Sequence, residues 1–330
     1  MIMQRAGFGT GRRALAAAAL ACALAAAGCG SSGGGKNGGG SDLPQVTGAV
    51  GQKAQITLPA GVTAPSSLET KTLVQGNGAA LAGGQLAAVN YTVMNWTGAK
   101  ALGDTYSQDG GKTPNQPQVV ALGSGSLLPA WNTALTGARI GSRIEVVAPP
   151  SAAFGSQGNP NNGVGPNDDL VFVLDVVGGY QANADITGKQ AAQAGAGLPA
   201  VTGDPGSGAP TVAIPKSAPP KTLVSDTLIH GTGETVATGH TLLMQYTGVD
   251  WNTGKNFDAS YKRNQAFSTV IGGGKVIKGW DQGLIGKHVG DRVLLVIPPE
   301  LGYGPSGGQA DAGIGKNDTL VFVVDVVDEL

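Results

Sequence analysis

Two late stretches of the chain, "DRVLLVIPP" and "DTLVFVVDVVDEL", are runs of β-branched and apolar residues, each opened by a single acid. A third, "HTLLMQYTGVDW", alternates well enough to bury one face. All three read as strands. Val276, Ile277, Trp280 and Leu284 fall at i, i+1, i+4 and i+8, on one side of a short helix, and Gly286 sits where a helix stop is expected. Strands around one short helix predict an α+β unit, mostly antiparallel. Such a helix can bury its stripe only against the sheet, so Trp280 is expected at the floor of a concavity.

The pattern occurs twice. "LPAWNTALTGARIGSRIEVVAPP" aligns with "IKGWDQGLIGKHVGDRVLLVIPP", and "GVGPNDDLVFVLDVV" with "GIGKNDTLVFVVDVV". Trp131 and Trp280 are 149 residues apart, Phe172 and Phe322 are 150 apart, and Tyr91 and Tyr246 are 155 apart. The first copy therefore carries about six extra residues before its tryptophan, in the polar loop "SQDGGKTPNQPQ". This is a tandem duplication, with domains at 46–179 and 221–330. The stretch 180–220, rich in Ala, Gly and Pro, reads as a flexible linker.

Composition narrows the chemistry. Charged residues make up 13% and the net charge is −1, so no basic surface points to nucleic acid. The two cysteines, Cys22 and Cys29, both lie near the N-terminus. There Arg5, Arg12 and Arg13 lead an apolar, alanine-rich run, the pattern of a signal peptide over 1–28. Ala26, Ala27 and Gly28 before Cys29 resemble the lipobox of bacterial lipoproteins, which implies cleavage and acylation at Cys29; ordinary signal cleavage nearby is the other reading. The Gly/Ser stretch 29–45 then reads as a tether. The expected location is outside the cell, anchored to the outer face of the bacterial cytoplasmic membrane. His230, His240 and His288 are scattered and have no cysteine partners, and "GGGKVI" lacks the Ser or Thr of a phosphate loop. Neither a metal nor a cofactor is expected.

Within "GKNFDASYKRNQAF", Asp258 and Arg263 stand between Phe257 and Phe267, as in a solvated loop or a pocket rim. "QYTG", "GKNFDAS", "VIKGWDQGL", "PPELGYG" and "TLVFVVDVV", in this order, resemble an FKBP-type peptidyl-prolyl cis–trans isomerase. The resemblance implies two FKBP-like domains, each a half-wrapped five-stranded antiparallel sheet around one short helix, with a pocket for a proline side chain. It makes the stretch a rim. Tyr246 and Phe257 would form one wall, Asp258 its edge, and Arg263 the partner of Asp258. Phe267 would close the far side and Val276 and Ile277 the entrance, with Trp280 beneath the proline ring. Tyr303, Ile314 and Phe322 would complete the ring. Tyr246, Asp258, Trp280 and Tyr303 would be the catalytic group, with Asp258 acting either electrostatically on the rotating carbonyl or as a brace. Proline-containing polypeptides and rapamycin-type macrolides are the implied ligands.

The first copy departs from this pattern. Matched by residue type, Tyr91, Asp104, Leu127, Leu128, Trp131, Val164 and Phe172 keep their places. Gly103 falls at Phe257, Phe154 at Tyr303, Asp109 at Arg263 and Gln118 at Phe267. The copy is expected to keep the fold, as a partner-binding module, a weak isomerase or a spacer. The whole chain then reads as an isomerase assisting the folding of exported proteins. Its rivals are a peptide-binding holdase lipoprotein without catalysis and a tandem adhesion module.

Overall fold

The long apolar runs become the central strands of two sheets in the computed structural model, which describes residues 42–107, 109–111, 113–190 and 194–330. In the first domain the strands are β3 (Glu69–Val74), β4 (Gln85–Asn95), β5 (Lys100–Asp104), β6 (Gln118–Ala121), β7 (Arg143–Ala148) and β8 (Leu170–Gln181). They are ordered β3-β7-β8-β4-β5, with β6 also paired to β4. The second domain repeats this with β11 (Val224–Ile229), β12 (Thr241–Asp250), β13 (Asn256–Ala259), β14 (Phe267–Val270), β15 (Arg292–Ile297) and β18 (Leu320–Glu329), ordered β11-β15-β18-β12-β13 with β14 on β12. Every ladder is antiparallel. Six strands thus fill five ladder positions per sheet, because two short strands share one edge of the long strand β4 or β12.

One short helix lies on each sheet, α1 (Pro129–Leu135) and α2 (Lys278–Leu284). Val276 and Ile277 precede α2 instead of joining its stripe; Ile277 is the extended N-cap, with φ −63° and ψ 147°. The buried face is Gly279, Trp280, Gly283 and Leu284. A Cβ on Gly279 would lie 2.4 Å from Ile297, and one on Gly283 2.6 Å from Leu295, so the helix sits too close to the sheet for any side chain there. Gly286 ends the turn at φ +80°, open to glycine at little cost. Further along, β16 (Gly308–Gln309) and β17 (Ile314–Gly315) fold a loop back so that Ile314 is buried against the core.

The described residues of the stretch 180–220, expected to be a flexible linker, are instead packed. Within it β9 (Ala200–Thr202) and β10 (Thr211–Ala213) form a hairpin on the outer face of the second sheet. Val201 is fully buried there among Leu228, Val249, Trp251, Leu294, Val296, Val321 and Val323. Ahead of it, the carbonyls of Ala182 and Ala184 accept hydrogen bonds from Ala266 N–H and Gln245 Nε2. The first domain has its own hairpin, β1 (Gln45–Thr47) with β2 (Gln55–Thr57), and Ile56 packs beside Trp96, Val147 and Val171. The repeated unit therefore includes a hairpin that three-residue strands left invisible to periodicity. Cys29, the leader 1–28 and most of the tether lie outside the described residues. No helix among the described residues is long and apolar enough to cross a membrane.

Under each hairpin lies a buried ion pair. Arg292 Nε and Nη2 each donate at 2.7 Å to the two oxygens of Asp325, and Arg292 Nη1 donates to the carbonyl of Gly203 in the hairpin. Tyr261 Oη donates to the same carboxylate at 2.9 Å. In the first domain Arg143 binds Asp175 at 2.6 and 2.7 Å, reaches Gly48 O and Gln52 O, and Tyr106 Oη donates to Asp175 at 2.7 Å. Each guanidinium joins its sheet to its hairpin, and so many hydrogen bonds offset the cost of burying the charges.

The domains also touch. Leu86, Val119, Ala121 and Tyr180 of the first pack with Leu243, Ala266 and Val327 of the second. Tyr180 Oη donates to Asp328 at 2.6 Å. The inserted loop of the first copy docks here too, since Thr241 Oγ1 donates to Pro117 O at 3.5 Å and Pro114 lies against Gly239.

Replacing Arg292 by Met strands Asp325 without its main partner and unties the hairpin. The expected loss is about 3–5 kcal/mol of stability in the second domain, read by chemical denaturation.

Candidate functional site

The second-domain site is assembled by eight segments. β12 brings Tyr246, β13 brings Phe257 and Asp258, and the turn after β13 brings Arg263. β14 contributes Phe267, the start of α2 contributes Val276, Ile277 and Trp280, and the far wall is Tyr303, Ile314 and Phe322. All of the apolar members belong to one cluster, with Tyr246, Trp280, Ile314 and Phe322 buried and Phe257, Phe267, Val276, Ile277 and Tyr303 half-buried over them.

Trp280 is the centre. Its indole meets Phe322 edge-on at 5.2 Å, Tyr246 at 5.4 Å and Phe267 at 6.1 Å. Phe257 stacks on Phe322 at 5.4 Å, also edge-to-face. These are the favoured geometries for aromatic quadrupoles. Trp280 Nε1 has no hydrogen-bond partner among the described residues. Gly248 makes this packing possible: a Cβ there would lie 2.7 Å from Phe257 and 2.9 Å from Phe322. Neither Gly248 nor Ser260, whose Oγ accepts Tyr246 N–H at 2.8 Å, carried a sequence signal that singled it out.

Into this apolar surface the protein sets one carboxylate, that of Asp258, which is 9% exposed. Arg263 Nη1 donates to its Oδ1 at 2.6 Å, and Tyr246 Oη donates to its Oδ2. Arg263 Nη2 also donates to Tyr246 Oη at 2.8 Å, closing a ring of three groups. Burial pushes the carboxyl up, but the hydrogen bonds from Tyr246 and Arg263 and the arginine's charge outweigh it, so the group lies below the usual carboxylate range. Burial, followed by the field of Asp258, pushes the Tyr303 hydroxyl up to about 12, which keeps it a hydrogen-bond donor at neutral pH.

The first-domain site has the same floor and different walls. Trp131 meets Tyr91 at 5.3 Å and Phe172 at 5.7 Å, both edge-to-face. Over it opens a cavity of ≈ 550 Å³, lined among others by Leu102, Gln118, Leu127, Leu128, Phe154 and Val164. Trp131 keeps 5% of its surface exposed where Trp280 keeps 0%.

Strand register corrects the match made by residue type. Gly248 pairs with Asp258, and its counterpart Val93 pairs with Gly103. Gly103 therefore takes the place of Asp258, and Leu102 that of Phe257. Asp104 stands one residue on, opposite Thr92, as Ala259 stands opposite Thr247. Alternation turns its side chain from the position that Asp258 takes; it still borders the cavity, where burial and then its field push the Tyr91 hydroxyl up, and Lys53 pairs with it at 2.6 Å. It does not face Asp109, which accepts hydrogen bonds from Ser107 and Thr113 in its own loop. Gln118 pairs with Val89 as Phe267 pairs with Met244, so that match stands.

With Asp258 depressed below the unfolded value of about 3.9, it contributes stability in full above that pH and loses it as pH falls through the folded value. In Arg263→Gln one donor and its charge are gone. The Asp258 carboxyl should titrate at higher pH, and the stability that the second domain loses to acid should shrink, because the folded and unfolded carboxyls then titrate closer together. Carboxyl ¹³C NMR titration reads the first, and melting against pH the second.

The sequence model of a family described as FKBP-type peptidyl-prolyl cis-trans isomerase matches residues 78–177 and 232–327, more than half of the chain. An FK506-binding protein of Streptomyces anulatus is 41% identical over 121 residues, covering 36% of this chain and 94% of the relative. A probable FK506-binding protein of Corynebacterium glutamicum is 38% identical over 119 residues, covering 36% and 96%. Among solved structures, the crystal structure of AtFKBP13 is 33% identical, covering 34% of this chain and 98% of that one, with a TM-score of 0.31.

Proposed function

The chain belongs to the FKBP-type peptidyl-prolyl cis–trans isomerase family, matched over two domains, and we propose that its isomerase activity resides mainly in the second of them and assists the folding of exported polypeptides. One observation carries the division of labour. The aromatic cup over Trp280 is complete and holds one neutralised carboxylate, whereas the cavity over Trp131 has glycine in the place of that carboxylate, glutamine in the place of Phe267 and no hydroxyl in the place of Tyr303.

The chemistry needs no general acid. The barrier to rotation is about 18–20 kcal/mol because the planar amide is resonance-stabilised. A planar amide is strongly polar and well solvated; the twisted one, its nitrogen lone pair localised, is less so. Removing an amide from water costs about 2–7 kcal/mol, so an apolar cup penalises the ground state more than the transition state, and preorganised dipoles act in the same direction. Trp280, Phe267, Val276 and Ile277 supply the dry surface. The backbone amide of Ile277 and the Tyr303 hydroxyl hold the substrate carbonyls. Because Trp280 has no exposed surface, a prolyl ring reaches it by parting the half-buried side chains packed above it.

Asp258 is read as a brace. Both of its oxygens are engaged, one by Arg263 and one by Tyr246, and these bonds fix the wall that Tyr246 forms against Trp280. Export and acylation at Cys29 rest on the N-terminal sequence pattern alone, and the mass of the native N-terminus tests them.

A prolyl-peptide assay on the full chain should show turnover that a rapamycin-type macrolide inhibits. Trp280→Leu should lower kcat/KM at least tenfold, about 1.4 kcal/mol. Retained activity would move catalysis to the first cavity, and no turnover in the parent chain would favour a holdase. Asp258→Val should lower kcat/KM less than about tenfold and leave kcat flat between pH 5 and 8; a loss of about a hundredfold, near 2.7 kcal/mol, would give the carboxylate a direct electrostatic role.

A further inference from the structure

We propose that the cavity of the first domain is a binding site for an aromatic side chain within an acidic stretch of polypeptide, held without rotation of a peptide bond. The second domain supplies the measure. There Phe267 places its own ring 6.1 Å from the Trp280 indole and 5.7 Å from Tyr246, edge-on to both. In the first domain Trp131 and Tyr91 keep the same mutual geometry, but the strand position of Phe267 belongs to Gln118 and that of Phe257 to Leu102. An incoming ring completes the cluster that the second domain completes with its own side chains.

Size points the same way. A cavity of ≈ 550 Å³ lies well inside the range that holds a sizeable ligand. A prolyl ring would fill little of it, and a lining atom without a neighbour forfeits its dispersion contact. A phenyl or indole ring fills more and gains the edge-to-face contacts with Trp131, Tyr91 and Phe172.

Charge selects the flanking residues. Among the described residues lining the cavity Lys100 is the only cation, and it stands near the turn of Asn161, Asn162 and Gly163. The one acid in the lining, Asp104, is neutralised by Lys53. The rim therefore carries a surplus positive charge beside the amides of Gln118, Asn161 and Asn162, which suit a polypeptide backbone with a carboxylate next to the buried ring. With Gly103 in place of Asp258 and Phe154 in place of Tyr303, the site lacks both the braced edge and the hydroxyl that holds a substrate carbonyl in the second domain. The site binds and does not turn over. This inference takes from the isomerase reading only the equivalence of the two sites, and its test reads binding, so the two fail separately.

The experiment uses the full chain and three short peptides: acetyl-Glu-Phe-Glu-amide, the same with proline for phenylalanine, and acetyl-Lys-Phe-Lys-amide. The indole N–H resonance of Trp131, assigned by its loss in Trp131→Phe, reports occupancy of the first cavity alone. The acidic phenylalanine peptide should shift it at concentrations at least tenfold lower than either of the others. Filling the cavity from within, by Leu102→Phe with Gln118→Phe, should weaken that binding at least tenfold. Lys100→Glu changes an exposed side chain without touching the core, and should reverse the order of the acidic and basic peptides. Equal or tighter binding of the proline peptide, no shift of Trp131 with any peptide, or an unchanged order in Lys100→Glu would each overturn the proposal.

Discussion

How closely the short helix lies on its sheet decides everything above it. The indole can floor a cup only if α2 presses Trp280 against β12 and β18, and it does so because Gly279 and Gly283 let the helix backbone approach Ile297 and Leu295. In the first domain the corresponding residues are Ala130 and Ala148, and Ala134 and Val146, all buried in one cluster. Each pair trades a larger sheet residue and no helix side chain for a smaller sheet residue and a methyl. The volume between helix and sheet is held nearly constant, as close-packed interiors require.

The same trade occurs at one wall of the site and fails at the others. Gly248 with Phe257 becomes Val93 with Leu102, a compensated exchange. Phe267 becomes Gln118, Asp258 becomes Gly103 and Tyr303 becomes Phe154, and the cavity over Trp131 stays open where the indole of Trp280 is covered. Compensation marks what the fold needs in both copies. Its absence marks where the two copies differ in chemistry.

Much of this was legible in the sequence because it rests on long signals. The apolar runs of β15 and β18 and the helix stripe around Trp280 span many residues, and the duplication shows each twice. What escaped was short or ambiguous. The hairpins have three-residue strands, too brief for any period to show, and in the second only Val201 is fully buried. Arg292 opens an apolar strand and so resembles a strand-end charge, although its partners Asp325 and Gly203 bury it. Residue type alone matches Asp104 to Asp258, one position off, because it shows that an acid is near the site and not which face of the strand bears it. A shift of one residue along a strand changes its face, and only the pairing partners Val93 and Gly248 fix which face is meant.

Two carboxylates in the second domain are buried by opposite logics. Asp325 sits among Arg292, Tyr261 and the hairpin, fully enclosed, and its role ends with holding hairpin to sheet. Asp258 is tied by Arg263, whose side chain is 41% exposed, so its charge is balanced from the solvent side of the rim. That arrangement leaves the inner wall of the cup apolar while still supplying a rigid edge for Tyr246. An acid free to seek a substrate proton would need room and an unpartnered lone pair, and the hydrogen-bond ring leaves Asp258 little of either. A cup built this way is suited to exclude water, and the first copy, with no acid at that wall, keeps the aromatic floor while losing the edge.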